Sequence, residues 1–175
     1  QSGLPTVLNV HGGPQARDVW GWDPEAQWLA NRGYAVLQPN FRGSDGFGKS
    51  FAESGYGEWG RRMQDDISDG LKYLVDNGMV DGSRVCIVGA SYGGYAALAG
   101  ATLTPELFRC VVSTAGISDL EEFIKSRKRK FGSDSETYKY WLQAIGDPKD
   151  VADKVETRDE VLRFASGFEA GAPSP

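Results

Sequence analysis

The feature that most constrains this chain is an apolar run that stops at a glycine-flanked serine and turns straight into a helix. Arg84-Val85-Cys86-Ile87-Val88 reads as a strand, Gly89-Ala90-Ser91-Tyr92-Gly93 follows with the G-x-S-x-G spacing, and Tyr95 to Ala101 reads as a small-residue helix. A strand buried on both faces has this nearly continuous apolar character, and it occurs in parallel sheets covered by helices. Glycines at 89 and 93 leave room for a strained serine on a sharp turn, and Gly94 allows the helix to pack against neighbouring backbone.

The rest of the 175 residues repeats the strand-then-helix alternation of an α/β domain. Residues 6–10 and 34–38 read as strands one and two, and residues 108–113 as the fourth. Residues 24–32 read as a helix with Asp23 as its cap and Pro24 in the first turn. Met63, Ile67, Leu71, Leu74 and Val75 share one face of a helix over 61–77. Between them, Asn40 to Gly60 is a Gly- and aromatic-rich loop expected to lie over a functional face. Beyond residue 118 the spacing predicts helices at about 119–129 and 135–145. Residues 1–155 are expected to be a partial catalytic domain, and 156–175 a diverged or disordered tail.

Composition mainly excludes. A net charge of −5 argues against a nucleic-acid surface spread over the domain. No apolar run is long enough to span a membrane, and Gln1 to Pro5 has no signal-peptide pattern, so a soluble chain is expected, its compartment unknown. Cys86 and Cys110 each fall in a strand-like run and are expected to be buried free thiols. No metal or cofactor is expected.

Placed on a strand-to-helix turn, Ser91 would project its hydroxyl from the carboxyl edge of the sheet, as a nucleophile does. Acyl transfer also needs preorganised N–H donors for the charge developing on the carbonyl oxygen. One would come from the backbone of Tyr92. The loop His11-Gly12-Gly13-Pro14, after the first strand, would provide the second, with Gly13 preferred over Gly12. His11 is the one histidine in the sequence and lies before the serine. In α/β-hydrolases the order is serine, acid, histidine, so His11 is read as a structural hydrogen-bonder.

Taken together, these stretches resemble the catalytic domain of the prolyl oligopeptidase family of serine peptidases, nearest its acylaminoacyl-peptidase and dipeptidyl-peptidase-like branches. The matching segments are Val10-His11-Gly12-Gly13-Pro14, the run from Pro39 to Gly48, Gly57-Glu58-Trp59-Gly60, Gln64-Asp65-Asp66, and the run from Gly89 to Ala97. The resemblance covers about residues 4–155. It implies an α/β-hydrolase fold and hydrolysis of short peptides through an acyl-enzyme on Ser91, with Gly13 and Tyr92 at the oxyanion hole. Ile117 to Phe123 resembles the segment that helps form the family's specificity pocket, which makes Ile117 and Phe123 candidate substrate-binding residues. The family's β-propeller, its first hydrolase strands, and its later Asp and His have no counterpart in these residues. The sequence is therefore expected to be truncated at both ends, with a frameshift near its close, and weak or inactive alone.

Two other readings stand beside this one: an esterase or acyl hydrolase built on the same elbow, and a non-catalytic fragment that associates through exposed sheet edges. Asp119 is read as a loop or cap residue. Arg127-Lys128-Arg129-Lys130 is read as a solvated run at a helix end, and one of Asp65 and Asp66 is expected to pair with Arg42 to brace the long loop.

Overall fold

Four parallel strands form the sheet, in the order β2-β1-β3-β4. The computed structural model describes residues 3–147. In chain order these are β1 (Leu4–Val10), α1 (Pro24–Ala30), β2 (Ala35–Leu37), α2 (Lys49–Glu53), α3 (Arg62–Asp76), β3 (Val80–Ala90) and α4 (Tyr92–Leu103). A short 3₁₀ turn (Pro105–Leu107) then leads to β4 (Cys110–Thr114), α5 (Leu120–Phe131) and α6 (Glu136–Ile145). The expected tail at 156–175 lies outside the described residues, as does the end of the domain expected at 155.

Register decides which side chains meet. Leu8 pairs with Leu37 and Ile87, and Ile87 with Val111, so these residues share one face. Leu8 and Ile87 are fully buried there. The helices α3 and α4 cover this face: Gly70 lies against Leu37, and Gly100 against Ile87 and Phe108. Successive side chains alternate across a strand, so Asn9, Val36, Cys86, Val88, Cys110 and Val112 turn to the opposite face. There Val88 is half-buried and Val112 is 51% exposed. The expectation of a third strand buried on both faces is thus corrected. Among the described residues its second face is only partly covered, and apolar content alone does not report that.

That register also corrects the reading of Cys86 and Cys110 as free thiols. They stand opposite each other in the β3–β4 ladder and are joined by a disulfide, with Cα atoms 4.6 Å apart. Such a spacing is within reach of a disulfide. Each cysteine taken alone looks like any small apolar strand residue, and only the adjacency of β3 and β4 makes them a pair.

Local signals set the helix boundaries. The Asp23 carboxylate accepts the Ala26 N–H at 2.7 Å at the start of α1. Asp119 does the same for the Glu122 N–H at 2.7 Å at the start of α5, which fits its reading as a cap. The long segment between β2 and α3 is more ordered than its glycines suggest. It contains α2, and it buries Phe41, Ser44 and Trp59 in the core.

Candidate active site

The chain reverses abruptly between β3 and α4, and Ser91 sits on that turn with φ 56° and ψ −116°, an uncommon conformation for a residue with a side chain. Its N–H donates to the Thr114 carbonyl at the end of β4, at 3.0 Å. The close packing explains why glycines are needed around it. A Cβ on Gly93 would stand 2.0 Å from the Val10 carbonyl oxygen, and one on Gly94 would stand 2.7 Å from Gly116 Cα. The turn is thus wedged between the ends of β1 and β4, and the Ser91 residue is left exposed.

Behind the serine the chain is held by aromatic packing. Tyr92, the first residue of α4, is fully buried, with its ring 5.1 Å from that of Phe41 and 4.6 Å from that of Trp59. Burial, with smaller contributions from Tyr95 and Asp66, pushes the Tyr92 phenol well above its ordinary range, so it stays neutral. As an N-terminal residue of the helix, Tyr92 has a backbone N–H with no acceptor inside the helix.

The loop after β1 approaches from the other side. A Cβ on Gly12 would lie 3.5 Å from Ser91 Cβ and 3.1 Å from the Ala90 carbonyl oxygen. Gly13 follows at φ 123° and leads into a cis bond to Pro14. The Gly13 N–H makes no backbone hydrogen bond among the described residues. Three segments distant in sequence therefore converge at the carboxyl edge of the sheet: the loop at 11–14, the elbow at 89–93 and the end of β4.

His11 is engaged elsewhere. Its Nδ1 lies 2.7 Å from the Gly12 carbonyl, which can only accept, so Nδ1 carries a proton. In the neutral ring Nε2 then accepts from the Ser44 hydroxyl at 2.9 Å. The ring stacks on Phe41 with centroids 4.5 Å apart. Both nitrogens are thus occupied by the loop at 11–14 and the long segment, as the structural reading of His11 expects. Ser44 itself is buried and was not singled out by the sequence, since its tie to His11 spans 33 positions.

Asp66 of α3 braces the same segment. Its carboxylate accepts Arg42 Nε and Nη2, both at 2.7 Å, and the Arg42 backbone N–H at 3.0 Å. This is the pairing expected for one of the two adjacent aspartates. Burial alone would raise the Asp66 pKa, but the Arg42 hydrogen bonds and charge outweigh it and hold the carboxyl below the usual carboxylate range.

One cavity borders the elbow, and a second follows the segment after β4. One of about 440 Å³ is lined by Asn9, His11, Gly12, Asp18, Asp23 and Ala90, among others. There burial raises the Asp18 pKa; His11 opposes this and Asp23 adds to it. The other, of about 340 Å³, runs from Ala115 to Ser126 and is lined by both Ile117 and Phe123. It begins one residue after Thr114, the acceptor of the Ser91 N–H.

Among the described residues no helix is long and apolar enough to cross a membrane.

Known proteins resemble this arrangement in both sequence and shape. The sequence profile of the prolyl oligopeptidase family matches residues 20–162. Dipeptidyl aminopeptidase BIII of Pseudoxanthomonas mexicana is 46% identical over 151 residues, which is 86% of this chain and 22% of that protein. Dipeptidyl peptidase family member 6 of Caenorhabditis elegans is 48% identical over 69% of this chain and 16% of its own length. Among solved structures, a puromycin-hydrolyzing peptidase of Mycobacterium tuberculosis superposes with a TM-score of 0.75 at 32% identity, over 93% of this chain and 24% of its own. An acylaminoacyl peptidase of Pyrococcus horikoshii does so with a TM-score of 0.74 at 28% identity, over 94% of this chain and 26% of its own. The chain thus spans about a quarter or less of the proteins it matches. It belongs to the prolyl oligopeptidase family of serine peptidases and carries part of that family's α/β-hydrolase fold.

Proposed function

We propose that this chain carries the nucleophile and oxyanion hole of a serine peptidase acting on short peptides. In this reading the Ser91 hydroxyl attacks the scissile carbonyl, and the backbone N–H groups of Gly13 and Tyr92 receive the negative charge on its oxygen. The amine departs with a proton, and water then releases the acyl group from Ser91. Ile117 and Phe123 form the pocket for the substrate side chain beside the scissile bond.

One observation carries this reading. The strained, exposed Ser91 is held at the sheet edge by Thr114, and the Gly12-Gly13 loop lies directly against it. The same arrangement argues against His11 as the general base, because both its ring nitrogens are taken by Gly12 and Ser44. We assign the base and its acid partner to residues outside this sequence, so the 175 residues by themselves are at most weakly active. Loss of a triad member leaves only a residual rate, lower by about 10³-fold or more.

Labelling with a serine-directed fluorophosphonate tests the assignment. The chain should label at Ser91 at least roughly 10³-fold more slowly than an intact triad would. Ser91→Ala should abolish the residual labelling, and His11→Ala should leave its rate unchanged in protein that still folds. Labelling at the rate of a complete triad would return His11 to consideration as base. Labelling that survived Ser91→Ala would place the nucleophile elsewhere.

A further inference from the structure

We propose that the exposed tryptophan loop before α1, together with the acidic cavity beside it, docks a peptide segment bearing lysine or arginine. This deepens the peptidase reading by naming a charge class of peptide. It rests on that reading only in making the docked peptide a substrate.

The segment between β1 and α1 leaves large apolar side chains in solvent. Trp20 is fully exposed and Trp22 is 77% exposed, and neither ring meets another ring or a cation among the described residues. Their loop is nonetheless held at both ends. The Asn40 side chain accepts the Asp18 N–H at 2.9 Å and donates to the Asp18 carbonyl at 3.0 Å, and Asp23 caps α1. Exposed indoles on a fixed loop lose little freedom on binding, and tryptophan is enriched where partners dock.

The cavity of about 440 Å³ decides the kind of partner. Asp18, Asp23 and Glu25 line it with Asn9 and Gln38, and no lysine or arginine does. None of the three carboxylates is in an ion pair among the described residues. The Asp18 carboxylate accepts no hydrogen bond from them either, and burial holds its pKa up despite the opposing effect of His11. His11, the one base in the lining, has both ring nitrogens engaged by Gly12 and Ser44.

Arginines elsewhere in the fold do not supply the missing charge. Arg17 donates to the Gly46 carbonyl and lies over Phe47. Arg32 stacks on Trp28 of α1, 3.9 Å from the ring centroid, which shows how a guanidinium seats on an indole. At the end of α5, Arg127 is half-buried with its guanidinium 4.6 Å from the Phe123 ring centroid, which corrects the reading of that basic run as wholly solvated. Three uncompensated carboxylates and two bare indoles are complementary to a cationic chain, one cation entering the cavity and another lying on a ring. Gly12 and Ala90 also line the cavity, and both lie against Ser91, so a peptide held there runs beside the nucleophile.

The test is calorimetric titration of the 175-residue chain with N-acetylated, amidated Gly-Arg-Ala-Arg-Gly, and with the same peptide carrying glutamine for both arginines. The arginine peptide should bind at least about tenfold more tightly, as one charge-assisted contact allows. Asp18→Asn combined with Glu25→Gln should bring the ratio near unity. Trp20→Ala combined with Trp22→Ala should weaken binding of the arginine peptide severalfold. Glu106→Gln combined with Asp134→Asn removes the same charge away from the cavity and should leave the ratio unchanged. Circular dichroism shows that each variant is folded. Equal affinities in the unsubstituted chain would overturn the inference. So would a preference that survives loss of the Asp18 and Glu25 charges, or one that disappears with those of Glu106 and Asp134. Binding of neither peptide, with self-association lost in the tryptophan variant, would give the surface to a second copy and overturn it as well. A chain that prefers the arginine peptide but never labels at Ser91 would sink the nucleophile assignment and leave the docking surface standing.

Discussion

Asp66 shows how one carboxylate can hold a long glycine-rich segment beside a catalytic edge. It accepts three hydrogen bonds from Arg42, two from the guanidinium and one from the backbone, and so fixes both the direction of the chain and one side chain. Both groups are roughly a quarter exposed, so solvent weakens the pair, and we expect Asp66→Asn to lower stability at neutral pH by about 1–2 kcal/mol. The pH dependence follows from the depressed pKa of Asp66. A depressed carboxylate contributes fully above its unfolded pKa of about 4, and the contribution fades as pH falls through the lower folded value. Urea unfolding of both proteins from neutral to acid pH should show the gap closing below about pH 4. A gap that stayed constant would mean that Arg42 does not depress this carboxyl. The pairing was legible in part, because charges of opposite sign and a helix were visible in the sequence. Which aspartate pairs was not, since it depends on how α3 is rotated against the long segment.

At the scale of elements, β3 and β4 together position the serine. The ladder between them continues past Ala90 and Thr114 into the Ser91-to-Thr114 hydrogen bond, and the disulfide fastens the same two strands at Cys86 and Cys110. Closing a loop of 24 residues restricts the unfolded chain, so reduction should lower the unfolding free energy by about 3 kcal/mol. Denaturant curves with and without dithiothreitol measure this directly. Identical midpoints, or two free thiols counted by mass in the untreated protein, would contradict the bond. Element positions were largely readable, because strand runs and helix spacing are local properties. The helix α2 was not, since Lys49–Glu53 is a single short turn of helix inside a glycine-rich stretch whose burial depends on α3 and the loop at 11–14.

For the whole molecule, the consequence is an uneven distribution of cover. On one side α3 and α4 bury Leu8 and Ile87 fully and leave Leu37 and Val111 half-buried, while on the other Val112 is exposed. Val19, Trp20, Trp22 and Trp28 are likewise exposed around α1. Among the described residues β2 and β4 are the open edges of the sheet. Apolar surface and unpaired strand edges favour association. We therefore expect sedimentation velocity of the 175-residue chain to show a mean mass that rises across the micromolar range. A single monomeric species at every concentration would count against association through these surfaces. By itself the sequence determined the alternation of strands and helices, the serine at a strand-to-helix turn and the glycines around it, because these follow from local spacing and backbone sterics. Tertiary structure alone decided that Cys86 meets Cys110, that His11 is occupied by Ser44 and Gly12, and that Arg127 lies over Phe123. Each of these depends on strand register or on helix rotation, which bring together residues that no local pattern connects.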